Sequence, residues 1–383
     1  MKILFLTPRF PYPPLKGEQV RVYNFIKYLS RHGHKVTLLS ICSKKDFINK
    51  KELEKYCEEI YCIKIGLFEK IFNFFKMIFL GLPLQNFSSY SSLIKNKITE
   101  LKSKHEFDIV QIELIRMAQY IQEFKGFRII VDLVDSLALN MKKRFKRERF
   151  WVKPIFYYEW KSMERYEKTI TNLNCSFLVV SISEKKAISD SKKIEVVQNG
   201  VNVCGINNIV KTPNKIIFTG NLGYFPNVDA VLFFVKEVFP LIKAKMLDAK
   251  FFVVGANPAK KIKNLDNGVD IFVIGYVENI YEHIASASCA VAPMLSGTGI
   301  QNKILEAMAC KVPVVATNCV LSGINCLPNK HILIADKPEE FANAVVSLLQ
   351  KPEFNRELAK EAFDFVNSNF NWGDICKKLY KFI

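Results

Sequence analysis

Short runs of β-branched and apolar residues recur along this chain, each pair separated by enough residues for one helix, and this alternation restricts the fold more than any other feature. Ile3 to Leu6 is the first run. The proline-rich turn Pro8 to Gly17 precedes a stretch whose Val22, Phe25, Ile26 and Leu29 share a helical face, Gly33 can end that helix in left-handed geometry, and Lys35 to Ser40 resumes as a strand. This is a βαβ unit. Further runs at Ile60 to Ile65, Asp108 to Ile112, Arg128 to Leu133, Phe177 to Ser181 and Ile194 to Gln198 predict a parallel sheet covered by helices.

A second series follows Pro213: Lys215 to Thr219, Lys250 to Val254, Val269 to Ile274, Ala290 to Pro293, Val312 to Ala316 and His331 to Ile334. Helices are predicted between them at Asn227 to Phe239, Glu278 to Ala287 and Pro338 to Leu349. The reading is therefore α/β with two Rossmann-like domains, 1–207 and 208–368, and an apolar tail, 369–383, that packs on one of them. At 383 residues the chain is long enough for two cores.

The charge is uneven. Residues 1–200 hold 36 Lys or Arg against 21 Asp or Glu, and so carry +15 of the net +18. Such a field attracts anionic membranes and nucleic acid alike. Leu67 to Leu82, LFEKIFNFFKMIFLGL, adds a narrow polar stripe of Lys70, Asn73 and Lys76, while Phe68, Ile71, Phe72, Phe75, Ile78 and Phe79 cover the rest of the circumference. It is too short and too interrupted to span a bilayer, which leaves partial insertion at a membrane interface or burial inside the domain. Lys142, Lys143, Arg144, Lys146, Arg147, Arg149 and Lys153, interleaved with Phe145, Phe150 and Trp151, suit lipid headgroups, or the phosphates and bases of RNA. The two surfaces together favour a membrane over nucleic acid, with Phe68, Phe72, Phe75, Phe79, Lys142, Lys143, Arg144, Arg147 and Trp151 as the contact residues.

Ten scattered cysteines without metal-ligand spacing and no apparent leader point to a reduced cytoplasmic protein. The five histidines show neither HxH nor HExxH spacing, so no protein-held metal is expected.

Ser296, Gly297, Thr298 and Gly299 form a turn before a helix that carries Lys303 and Glu306. An ammonium, a carboxylate one turn away and free helix N-terminal amides would suit a nucleoside diphosphate, whereas a surface salt bridge would need only the two side chains. The turn Gly220 to Asn227, GNLGYFPN, offers Gly220 and Asn221 as a phosphate-side rim or serves as a plain turn. Gly17 permits close backbone approach at the first helix, although no GxGxxG accompanies it. Asp132 and Asp135 end an apolar strand, where they can orient hydroxyl groups or cap the following helix.

In order, MKILFLTPRFPYPPLKGEQVRVYN, VDLVDSLA, VVSISE, NGVN, FTGNLGYFPNVDAVLFF, VVGANP, GYVENI and the GTG…KILEAMA block resemble a retaining glycosyltransferase of the GT-B fold, in the family 4 group that builds bacterial surface glycans. The resemblance implies two Rossmann-like domains facing a central cleft, with the segment 369–383 packing back on the first. The second would hold a sugar nucleotide through Gly220, Asn221, Ser296, Gly297, Thr298, Gly299, Lys303 and Glu306, and the first would receive a glycan or lipid-linked acceptor near Gly17, Asp132 and Asp135. Lys303 would lie beside the phosphates and Glu306 would hold the ribose. The family pattern has a further glutamate seven residues before Glu306, where this chain has Thr298, and Asp135 stands in the region of the family's N-terminal histidine. Asp135, Lys303 and Gly17 are the expected catalytic set, with no cofactor, no metal, and a location on the inner face of the plasma membrane. A noncatalytic nucleotide-sugar-binding subunit and a sugar-nucleotide epimerase of related fold are the alternatives.

Overall fold

A computed structural model describes residues 1–189, 191–202, 209–296, 300–321 and 323–382, the side chains of Lys44 and Arg147 apart. The chain forms two compact units, Met1–Gln198 with Cys376–Ile383, and Asn199–Ile375. The first unit thus ends earlier than the expected 207, and the tail joins it only from Cys376. The cause is local: Val201 N donates to Phe370 O at 2.7 Å, and a Cβ on Gly200 would lie 2.6 Å from the Trp372 ring, so residues 199–202 are packed within the second unit. Cys376 Sγ contacts Asn24 O at 3.9 Å and His34 Nε2 bonds the Tyr380 hydroxyl at 2.8 Å, both inside the first unit.

The first unit is built on strands β1 (Lys2–Thr7), β2 (Lys35–Ile41), β3 (Glu59–Ile63), β4 (Ile109–Glu113), β5 (Arg128–Val134), β6 (Ser176–Val179) and β7 (Ile194–Val196), in the order β3-β2-β1-β4-β5-β6-β7. The second has β8 (Lys215–Thr219), β9 (Lys250–Val254), β10 (Ile271–Gly275), β11 (Cys289–Ala292), β12 (Val314–Ala316) and β13 (Leu333–Ile334), in the order β10-β9-β8-β11-β12-β13. Neighbouring strands in both sheets run parallel, for example with Leu6 opposite Leu39 on one side and Ile112 on the other. Helices cover both faces, which is why the strands read as continuous apolar runs. Leu4, Leu6, Val110, Ile112, Val131 and Leu133, alternate residues of three neighbouring strands, contribute to the core on one face.

Some predicted elements change in extent. β6 stops at Val179 because Ser181 caps the following helix, its side chain accepting from Glu184 N at 3.2 Å. β13 omits His331, whose Nδ1 instead accepts from Leu327 N at 3.1 Å. The helix expected at 227–239 runs Phe225–Phe233, widens into a π turn at Phe234–Val238 and resumes at Phe239–Lys243. Pro240 has no N–H to donate back along the helix, so the ladder must loosen just ahead of it.

Helix α1 (Gly17–Arg31) buries Val22, Phe25, Ile26 and Leu29 as its pattern requires, and also buries Arg21 completely. Arg21 Nε lies 2.5 Å from Asp132 Oδ2 on β5, Nη1 donates to Gln198 O at 3.0 Å, and the guanidinium sits 4.7 Å above the Phe25 ring. One side chain therefore ties a helix, a strand and the end of the unit together. Arg21→Ala leaves the Asp132 carboxylate buried without its partner and should destabilise the first unit by about 3–5 kcal/mol. Urea denaturation measures this, and Arg21→Met combined with Asp132→Leu should lose less than Arg21→Ala alone.

Candidate active site

In the second sheet the chain moves outward in one direction from β8 to β10 and in the other from β11 to β13, so the carboxyl ends of β8 and β11 flank a topological switch point, where open α/β sheets bind ligands. The exit from β8 is made of close backbone contacts. Gly220 has φ +147°, and a Cβ there would lie 2.9 Å from Asn227 Nδ2; a Cβ on Gly255, just past β9, would lie 1.8 Å from Gly220 O. Only glycine fits either position. Asn221 Oδ1 accepts from Gly223 N at 3.1 Å, and Asn227 Nδ2 donates to Asn221 O at 2.9 Å. Asn227 Oδ1 then remains to meet Lys303.

Lys303 lies in the helix Asn302–Ala309, whose start has no side-chain cap. Its Nζ donates to Asn227 Oδ1 at 2.5 Å, approaches Met294 Sδ at 3.5 Å and stands 4.5 Å over the Phe218 ring. Asn227 follows β8 and Met294 follows β11, so this one cation is held from both sides of the switch point. Met294 O is itself fixed by Thr317 Oγ1 at 2.6 Å and Cys319 Sγ at 2.9 Å. No ion pair joins Lys303 to Glu306 among the described residues, so the pair is not a surface salt bridge. Both side chains keep some exposure, yet neighbouring atoms crowd them enough to reset their protonation. Burial lowers Lys303 to about 7, opposed by the charge of Glu306, and burial raises Glu306 to about 7, opposed by Lys303. Ser296 is half-buried shortly after β11; Gly297, Thr298 and Gly299 lie outside the described residues.

In the first unit the predicted residues have different surroundings. Gly17 opens α1. Asp132 cannot orient a ligand hydroxyl: it is fully buried, and its Oδ2 is engaged by Arg21 while Oδ1 accepts from Val134 N at 3.2 Å. Asp135 accepts from Asn140 Nδ2 at 2.7 Å, and burial raises its pKa. At the carboxyl ends of β1 and β4 is a small crevice whose lining includes Thr7, Arg9, Glu18, Gln19 and Glu113, with Arg9 and Glu18 paired at its rim. Sequence reasoning missed Glu113, Arg21 and Asn227. The available signals were an acid closing the otherwise apolar strand IVQIE, an arginine on the apolar face of α1, and an asparagine one position after Pro226.

The helix Leu67–Phe79 is turned inside out. Its buried residues are Asn73 and Met77, with Asn73 Nδ2 donating to Tyr90 O at 2.8 Å, and Lys76 Nζ donates to the Tyr90 hydroxyl at 3.1 Å. The polar stripe faces the protein. Phe68 (88% exposed), Phe72, Phe75 and Phe79 (89%) face outward. The segment that follows is clamped to the helix Lys153–Thr171: Glu159 accepts from Leu84 N at 2.7 Å and Gln85 N at 3.2 Å, and the Tyr158 hydroxyl donates to Leu82 O at 3.3 Å. Exposed Phe150, Trp151 and Ile155 precede that clamp, and Lys142, Lys143 and Arg144 are exposed on the neighbouring helix Leu137–Arg147. The Arg147 side chain lies outside the description. Among the described residues no helix is long and apolar enough to cross a membrane.

Residues 213–351, which hold the second switch point, match the family model described as Glycosyl transferases group 1. Over 99% of both chains the protein is 23% identical to an uncharacterized 44.6 kDa protein in the cps region of Klebsiella pneumoniae. The putative teichuronic acid biosynthesis glycosyltransferase TuaC of Bacillus subtilis is 26% identical over 38% of this chain and 37% of its own. Sucrose-phosphate synthase from Thermosynechococcus elongatus superposes with a TM-score of 0.71 at 14% identity, covering 100% of this chain and 98% of that one. Anabaena HepE, solved in complex with UDP-glucose, gives 0.68 at 15% identity with the same coverage. The chain has the GT-B fold, and its residues 213–351 carry the match to a glycosyltransferase domain.

The shifted lysine is directly measurable. Methylation of lysines with a carbon-13 label should reveal one resonance, absent in Lys303→Arg, that titrates near pH 7. Because the Glu306 charge raises the lysine, Glu306→Gln should move that midpoint down.

Proposed function

We propose that the protein moves a sugar from a nucleoside diphosphate sugar to a glycan or lipid-linked acceptor, with retention of anomeric configuration, in the synthesis of a bacterial cell-surface polysaccharide. The observation that carries this reading is Lys303, a cation gripped between Asn227 and Met294 at the switch point of the second sheet, with Glu306 one turn further along the same helix. As the bond from sugar to diphosphate lengthens, negative charge builds on the phosphate oxygens. An ammonium already fixed at that edge stabilises it with little reorganisation. Glu306, when ionised, accepts hydrogen bonds from the ribose hydroxyls. The reading assigns this stabilisation to Lys303, turn amides and helix N-terminal amides, with no metal. Asp135 and Gly17 stay on the acceptor side of the proposal, and Asp132 leaves it.

A binding subunit without turnover is the second reading, favoured by Thr298 at the spacing where the family pattern has its first glutamate. A panel of UDP- and GDP-sugars with membrane extract as acceptor source separates the two. Transfer of one sugar with retained configuration supports the enzyme; nucleotide binding with no product from any donor supports the subunit. Lys303→Ala and Glu306→Ala should each weaken nucleotide binding about 10- to 100-fold, the worth of a hydrogen bond to a charged group. Affinity at wild-type level in either folded variant would remove that residue from the site. The ammonium is lost as pH rises through about 7 and the carboxylate as pH falls through about 7, so the affinity of the free protein should peak near neutrality.

We place the reaction at the inner face of the plasma membrane, with the outward side of the helix Leu67–Phe79 as the contact. Burying one phenylalanine side chain contributes about 1.5–3 kcal/mol, and each nearby Lys or Arg about 1 kcal/mol at an anionic surface. Phe68→Ser, Phe72→Ser and Phe79→Ser together should cut partitioning to phosphatidylglycerol vesicles at least tenfold without altering the melting temperature, since these side chains are exposed. Added salt should weaken the wild type. Equal partitioning of wild type and variant, or self-association that the three serines abolish while vesicles go unbound, would overturn the membrane assignment.

A further inference from the structure

The first sheet has a switch point of its own between β1 and β4, with Thr7 ending one strand and Glu113 the other. Glu113 is 1% exposed. Its Oε1 accepts from Gln111 Nε2 at 2.9 Å, and its Oε2 has no hydrogen-bond partner among the described residues. A buried carboxyl oxygen left unpaired is costly, and such groups persist where a ligand or water completes them. The nearby cation makes no hydrogen bond to it among the described residues: Arg21 Nε and Nη1 are committed to Asp132 and Gln198 O, and Nη2 has no hydrogen-bond partner. The adjoining backbone is strained as well: Leu114, directly after Glu113, and Val134, at the same edge of neighbouring β5, have φ of +65° and +66°, a region that branched side chains rarely enter.

We propose that this crevice receives a hydroxyl group of a sugar and that Glu113 Oε2 is the group that binds it. The crevice is small, with room for about one hydroxyl and not a sugar ring. Thr7 and Gln19 also line it, their side chains donating to Ser40 Oγ at 2.8 Å and Phe10 O at 2.7 Å, and the Arg9–Glu18 pair stands at the rim. Burial, reinforced by the charge of Asp132, holds Glu113 well above the usual carboxylate range, with Arg21 opposing. A neutral carboxyl can both donate to and accept from a hydroxyl, which matches the hydrogen-bonding character of a sugar and not that of a phosphate. The assignment rests on the reading of the chain as a sugar transferase and adds the residue that recognises a sugar hydroxyl in the first unit.

Infrared difference spectra of wild type minus Glu113→Gln at neutral pH should contain a carboxylic-acid carbonyl band. The methyl glycosides of glucose, galactose, mannose and N-acetylglucosamine serve as probes. At least one should shift that band, Glu113→Ala should weaken its binding at least tenfold, and Glu113→Gln, whose amide still donates and accepts, should weaken it less. A band that none of the glycosides moves means that the crevice holds water only, and wild-type glycoside affinity in Glu113→Ala means that the carboxyl is structural; either result overturns the proposal. UDP and GDP titrations of the same variants keep the two readings apart. Unchanged nucleotide affinity alongside lost glycoside binding supports the role of Glu113, whereas wild-type protein that binds neither nucleotide defeats the sugar-nucleotide reading and leaves the infrared band to decide on Glu113.

Discussion

The buried pair of Arg21 and Asp132 is the constraint around which the first unit is arranged. A guanidinium enclosed by α1, β5 and the end of the unit must have a carboxylate against it, and Asp132 is the group that meets it. A second acid, Glu113, lies close enough to feel both charges, and one cation balances only one anion. Burial raises both acids, but Asp132 has the direct contact with Arg21 that opposes the rise, while Glu113 lacks one and is held well above the usual carboxylate range. A conspicuous acid at a strand end is thereby removed from ligand chemistry by a helix residue more than a hundred positions away in sequence.

The second unit solves a related problem differently. There the cation is not cancelled by an acid. Lys303 rests on an amide oxygen, a thioether and an aromatic face, all neutral. Neutral contacts orient the ammonium, and Glu306 acts on it through its charge without an ion pair, which leaves the ammonium open to an incoming anion. The glycines at 220 and 255 matter for the same reason: two strand exits come within contact of each other, and that proximity brings Asn227 to the lysine.

Much of the fold was legible in the sequence because parallel strands buried on both faces leave continuous β-branched runs, and their order along the chain implied two sheets. Lengths were less legible where a side chain redirected the backbone, as at Ser181, His331 and Pro240. Lys303 and Glu306 stood out because both lie on one short helix behind a glycine-rich turn. Asp132, Glu113 and Arg21 did not sort themselves, since which acid an arginine selects depends on contacts between segments far apart in the chain. Orientation of the helix Leu67–Phe79 was equally hidden: its composition fixes that one side is aromatic, but the backbone carbonyl at Tyr90 that captures Asn73 determines which side faces outward.

That capture also governs how the isolated protein behaves in water. With the amide stripe committed inward, the aromatic rings stay outside whether or not anything covers them. Dilute samples will adsorb to air–water boundaries and plastic, and columns with alkyl or phenyl groups will retain the chain more strongly than its mean hydropathy of +0.07 suggests.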